Sequence, residues 1–129
     1  MPPARSLAHR ANGLEGAYLY KQGSYYYLFA SINACCKNVD STYRIVAGRS
    51  ASITGPYLDR GGVPMTSGGG TIVLSAHANI SGPGGQSLFA DTDGDILVYH
   101  YYDGNQNGTP ELGINHISWT TDGWPYVAT

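Results

Sequence analysis

Apolar and aromatic positions in this chain recur in short alternating runs, broken every few residues by Gly, Pro, Asn or Asp. The clearest run, residues 25–31, reads Tyr-Tyr-Tyr-Leu-Phe-Ala-Ser directly after the turn Lys21-Gln22-Gly23-Ser24. Period-two patterning with aromatic and β-branched residues between turn formers marks a strand. The same signs predict strands at 17–20, 43–50 and 71–75, and a short one near Leu58. Further strands are expected at 87–90, 96–102 and 112–119, with a last short piece at 126–127. No segment keeps a helical period over ten residues. The polar stretch 33–41 reads as a loop, and Gly61-Gly62 with Gly68-Gly69-Gly70 as a flexible connector.

The two halves repeat. Gly23-Ser24-Tyr25 aligns with Gly94-Asp95-Ile96, and the same spacing sets Glu15 against Gln86 and Tyr18 against Phe89. Each half reads as a four-stranded antiparallel meander, the unit of a propeller blade. Eight short strands also suit a β-sandwich, but the repeat argues for blades. The predicted fold is therefore all-β, with two four-stranded antiparallel blades forming part of a propeller. Blade one covers about 14–75 and blade two about 82–129, within a single domain, 1–129. In a meander, successive strands reverse direction. Glu15, the loop 32–42, Gln86 and the loop 103–111 should therefore crowd one end.

Composition narrows the function classes. Charged residues make up 12% of the chain, well below the roughly 25% usual in soluble domains. The net charge is −2 and no Lys/Arg cluster appears, so nucleic acid is not an expected partner. No run of about 18 apolar residues predicts a membrane span, and the start, Met1-Pro2-Pro3-Ala4-Arg5-Ser6, lacks the apolar core of a signal peptide. Cys35 and Cys36 are adjacent. Such neighbours bridge only through a strained ring, so two buried or half-buried thiols are expected.

Specific motifs follow one another in order. Leu14-Glu15-Gly16-Ala17-Tyr18 precedes the tyrosine-rich strand; then come Cys35-Cys36, Ser41-Thr42-Tyr43, Gly48-Arg49-Ser50 and Ile53-Thr54-Gly55-Pro56-Tyr57. Gly68-Gly69-Gly70-Thr71, Gly82-Pro83-Gly84-Gly85-Gln86-Ser87, Val98-Tyr99-His100-Tyr101-Tyr102-Asp103 and Asp122-Gly123-Trp124-Pro125 complete the series. From Leu14 onward the chain resembles the C-terminal two blades of a five-bladed arabinanase of glycoside hydrolase family 43.

The resemblance implies inverting hydrolysis of α-1,5-linked arabinofuranose chains, with arabinan or arabino-oligosaccharide as substrate and an extracellular setting. Inversion needs an acid to protonate the leaving oxygen and a second carboxylate to activate water. Glu15 matches the family's general acid, at an apolar strand start beside Leu14, Ala17 and Tyr18. The family's other catalytic carboxylates belong to blades not present in this sequence. Asp40 and Asp103 face the same end but match no catalytic motif, and read as turn formers. Gln86, Ser87 and His100 are expected to line the substrate end. Family members carry a histidine after Gly-Pro-Gly that contributes to a Ca²⁺ site; here that residue is Gly85, so no bound metal and no cofactor is expected. Asp91-Thr92-Asp93-Gly94-Asp95 lacks the closing Glu of an EF-hand and reads as a β-turn. Two uncovered blade faces predict either a homo-oligomer or association with missing N-terminal blades. The competing functional reading is a non-catalytic, carbohydrate-binding or self-assembling propeller fragment.

Overall fold

The computed structural model describes residues 4–129 and contains nine strands, three single-turn 3-10 helices and, among the described residues, no α-helix. The reading of Met1-Pro2-Pro3 lies outside the described residues. The first sheet comprises β1 (Leu14–Gln22), β2 (Tyr25–Ile32), β3 (Arg44–Ser50) and β4 (Thr71–Leu74), antiparallel in chain order. The second holds β5 (Ile80–Asp91), β6 (Gly94–Asp103) and β7 (Thr109–His116). A small ribbon of β8 (Ser118–Trp119) and β9 (Pro125–Tyr126) ends the chain.

The all-β meander architecture is as the sequence predicts, with three differences in detail. The short strand expected near Leu58 is an isolated bridge: Leu58 exchanges backbone hydrogen bonds of 2.9 and 3.0 Å with Arg49. The link between β3 and β4 folds back across the sheet instead. Its Tyr57 and Met65 are buried in one cluster with Leu28, Ile32 and Val46, against which Leu7 and Ala8 also pack. Second, β5 starts seven residues before the expected 87, at Ile80. Gly82-Pro83-Gly84-Gly85, residues that usually interrupt strands, is accommodated inside the strand by two register shifts, between Ser81 and Gly84 and between Gly84 and Ser87. Third, the expected strand 112–119 divides at Ile117. Its buried side chain sits in the core, and its N–H donates to the Asp95 carbonyl at 2.9 Å. Beyond it the chain leaves β7, and β9 runs back to the first sheet, where Val127 N–H donates to the Val73 carbonyl at 3.0 Å. The second sheet therefore has three strands, with β7 at its edge.

The main core lies between the two sheets. Phe29, Ile45 and Leu97 are fully buried there, with Tyr27, Leu88 and Tyr99. Each buried aliphatic or aromatic side chain of this size contributes about 1.5–3 kcal/mol relative to exposure. Tyrosine hydroxyls join the layers: Tyr18 donates to the Leu88 carbonyl at 2.8 Å and Tyr20 to the Asp95 carboxylate. Burial and that carboxylate together push the Tyr20 phenol above its usual range.

The hairpins share a backbone plan. Gln22↔Tyr25 and Asp91↔Gly94 close them, which sets the structural repeat at 69 residues rather than the 71 read from the motifs. On this register Glu15, opposite Ser31, corresponds to Gly84, opposite His100, and each is followed by a bulge. The Asp91–Gly94 closure also confirms the β-turn reading of the Asp-rich segment.

Candidate active site

The bulge after Glu15 fixes the candidate site. Bulges re-aim a strand locally and recur next to active sites. Here the inserted residues are Gly16 and Ala17, and a buried polar network holds them. The Ser31 hydroxyl, itself fully buried, donates to Gln86 Oε1 at 2.6 Å and accepts from Gly85 N–H at 2.9 Å. Gln86 Nε2 donates to the Gly16 carbonyl at 2.5 Å. The amide of β5 thus fastens the peptide that carries Glu15. Buried polar groups are costly unless partnered, and in this network each supplies the other's partner.

Glu15 itself is exposed on the rim, not set in an apolar strand start as its neighbours in sequence imply. The bulge turns it out from the core, where Leu14 packs. Beside it stands the buried Tyr43, the last residue before β3. Burial first, and then the neighbouring Glu15 and Tyr102, push the Tyr43 phenol up to about 12, while Ser31 acts in the opposite direction. Tyr43 therefore stays a neutral donor at the rim through the whole physiological range. Its ring stacks on His100, with centroids 5.7 Å apart and planes 20° from parallel. His100 in turn meets Tyr102 edge-on, and the Tyr102 hydroxyl accepts the Cys36 N–H at 2.8 Å.

Glu15, Gln86 and His100 are accordingly brought together, the first two through Gly16 and Ser31 and the third through Tyr43. Ser87 is not. It is exposed and pairs with Val98 along the strand, away from the network. Sequence reasoning missed Ser31 and Tyr43 as site residues, since both read as ordinary strand positions. The only sequence signal for Tyr43 is its place in Ser41-Thr42-Tyr43.

Two further acids at this end, Asp103 and Asp40, differ sharply. Asp103 is buried and bound three times, by Asn79 Nδ2 at 2.8 Å, Asn105 N–H at 2.9 Å and Gln106 Nε2 at 3.0 Å. These bonds, led by Asn79, hold its carboxyl below the usual range. It caps the turn Gly104–Gln106, as a turn former should. Asp40 is exposed in the turn Asn38–Asp40. The loops themselves meet: a side chain at Gly108 would strike Asn38.

Two sequence expectations need comment here. Cys35 and Cys36 form a disulfide with each other rather than two thiols, and Cys36 is exposed. The left-handed backbone at Cys36, φ 69°, lets the adjacent side chains meet. At Gly85, an added Cβ would lie 2.7 Å from His100 Cδ2, so the His100 ring takes the space that a histidine at 85 would use. The residues present do not reproduce a metal site built on that position.

Two bulged, antiparallel meanders packed face to face make an all-β architecture of the propeller kind, with Glu15 exposed at the shared rim. The chain belongs to glycosyl hydrolases family 43, whose pattern it matches over residues 4–125. It is 50% identical over 123 residues to the extracellular endo-α-(1→5)-L-arabinanase 1 of Bacillus subtilis, a match covering 93% of this chain and 37% of that protein. The endo-arabinanase of Bacillus licheniformis superposes with a TM-score of 0.88 at 45% identity, over 97% of this chain and 44% of that one. The Cellvibrio cellulosa α-L-arabinanase complexed with arabinohexaose gives 0.85 at 40% identity, over 89% and 36%. The chain thus spans well under half the length of the relatives it matches.

Proposed function

We propose that this chain supplies the general acid, Glu15, of an extracellular arabinan-cleaving hydrolase that inverts configuration at the scissile sugar. The observation that carries the reading is the rim geometry. The Glu15 carboxylate is mounted on a bulge whose peptide is tied down by the Ser31–Gln86 network, and it is faced by the neutral Tyr43 phenol. In the reaction Glu15, protonated, gives its proton to the leaving glycosidic oxygen, and a carboxylate about 6.5–9.5 Å away activates the water. Asp103 cannot serve, because its lone pairs are committed to Asn79, Asn105 and Gln106. The second carboxylate belongs to a part of the hydrolase outside this sequence. Gln86 acts by positioning Glu15 rather than by touching sugar, and His100 braces Tyr43 from the far side.

The partner reading follows from coverage of the sheets. The far face of the first sheet is closed by the chain's own Tyr57 and Met65. The second sheet leaves Phe89, Leu112 and Ile114 between 62 and 79% exposed. Further blades or a second copy of the chain cover this face, while arabinan occupies the rim.

The test is release of reducing ends from debranched arabinan by the assembled protein. Glu15→Gln is expected to lower the rate about 10²–10⁴-fold. An unchanged rate would remove Glu15 from the mechanism.

A further inference from the structure

The ring of Tyr43 is seated between the two sheets. Ser31 on β2 pairs with Glu15 on one side and with Ile45 on the other. Ile45 faces the core between the sheets, and Tyr43, two residues earlier, turns the same way. The buried ring lies against the bare backbone of Gly84 and stacks on His100. This seat holds the phenol oxygen in one place, where it meets both the Ser31 hydroxyl and the Glu15 carboxylate.

The hydrogen bonds at this corner leave a choice. A phenol has one proton to donate. The Ser31 proton goes to Gln86 Oε1 at 2.6 Å, and one Ser31 lone pair takes the Gly85 N–H at 2.9 Å. A serine oxygen has two lone pairs, so one remains. The Tyr43 proton therefore has two acceptors, Ser31 and Glu15. An ionised carboxylate is the stronger of them, since charge-assisted bonds are roughly twice as strong as neutral ones. A protonated carboxyl loses that advantage. Of the other ionisable groups beside Tyr43, His100 meets the face of the ring and Tyr102 meets His100 edge-on.

We propose that Tyr43 is a positioning residue for the general acid, its hydroxyl donating to Ser31 while Glu15 is protonated and swinging to the carboxylate as the proton leaves. The role rests on the reading of Glu15 as the acid. In the step, the Glu15 O–H bond breaks and its proton joins the glycosidic oxygen, which keeps the electron pair of the broken C–O bond. The charge left on Glu15 meets a donor already in place, and Tyr43 loses no proton. A donor fixed beforehand where charge develops lowers the barrier without reorganisation. The second sheet supplies the seat of the ring, so the acid of the first sheet is complete only when both are packed together.

Carbon-13 at the tyrosine Cζ positions of the full chain reads the phenol without turnover, with Tyr43→Phe assigning the Tyr43 signal. Through the carboxylate range, about pH 3–6, that signal is expected to move in the parent and to lose this movement in Glu15→Gln. His100 and Tyr102 are present in both, so the difference belongs to Glu15. Matching curves would overturn the proposal. Turnover by the assembled hydrolase supplies the second readout. Tyr43→Phe keeps the stacked ring, so kcat on arabinan is expected to fall about tenfold or more with KM unchanged. A dinitrophenyl arabinofuranoside, whose leaving group departs without a proton, is expected to be cleaved at the parent rate. Equal losses on both substrates would make Tyr43 merely structural and overturn the role. Arabinan cleavage unchanged in Glu15→Gln would sink the acid and the role together, whereas matching titration curves sink the role alone.

Discussion

At the residue scale the acids at the rim divide by how many donors they meet. Glu15 lies exposed on its bulge, whereas Asp103 is buried and held ionised by three donors. The folded chain therefore binds a proton at Asp103 only at lower pH than the unfolded chain does. Its contribution to stability is full above the ordinary carboxylate range of about 4 and is lost as pH falls through the lower folded value. Asp103→Asn removes that titration. Its urea midpoint is expected to fall at neutral pH and to vary less than the parent's between about pH 5 and 2. An unchanged acid slope would show that other carboxylates govern acid unfolding.

At the element scale Arg49, with Tyr27 and Arg60, ties the C-terminal ribbon to the first sheet. Arg49, near the end of β3, lies between Tyr25 and Trp124, with its guanidinium carbon 4.1 and 4.4 Å from the two ring centroids. Its Nη1 also donates to the Asp122 carbonyl at 2.7 Å, and Tyr27 donates to the Gly123 carbonyl at 2.7 Å. Arg49→Lys keeps the charge but loses the flat stacking surface and the fork. A loss of about 1–2 kcal/mol is expected in urea unfolding, with a changed near-ultraviolet signal from Trp124. Alternation in β6 marks a strand whose faces differ in burial, with Leu97 and Tyr99 buried and Val98 and His100 half-buried. By contrast, β2 is buried on both faces from Tyr27 to Ile32 and was legible by its aromatic and aliphatic run between turns. What alternation missed has particular causes. The first half of β5 was hidden because Gly-Pro-Gly-Gly normally breaks a strand; here the bulges make room for Tyr43 and His100. Ser118-Trp119 was read as continuing β7, since nothing local announces that Ile117 is buried across the sheet. Glu15, Gln86 and His100 were legible as motif positions. Their links through Ser31 and Tyr43 were not, because pairing between sheets leaves no trace in local pattern. The Cys35–Cys36 bridge was likewise hidden, since it depends on a left-handed residue that a sequence does not display.

At the scale of the whole molecule the second sheet's outer face is the apolar surface the chain leaves open. Leu112 and Ile114 lie two residues apart on the edge strand β7, near the exposed Phe89. An apolar face joined to an open strand edge invites pairing. Light scattering at micromolar concentration is expected to give more than the single-chain mass. Replacing Leu112 and Ile114 together by Lys should return the particle to a single chain. A monomeric parent would refute association of this chain with itself.

The shared bulge register has a last consequence, concerning how two copies of one pattern came to differ. Gly84 stands where Glu15 stands in the first copy, and a Cβ there would fall inside the Tyr43 ring, 2.1 Å from its Cδ2. The second copy has given up its side chain so that the first can brace its acid with an aromatic. The division of labour is locked in both directions: an acid cannot be installed at 84 while Tyr43 remains, and Tyr43 cannot keep its seat if 84 gains a side chain. Any lineage that moved the reactive group from one copy to the other would have to change both positions at once.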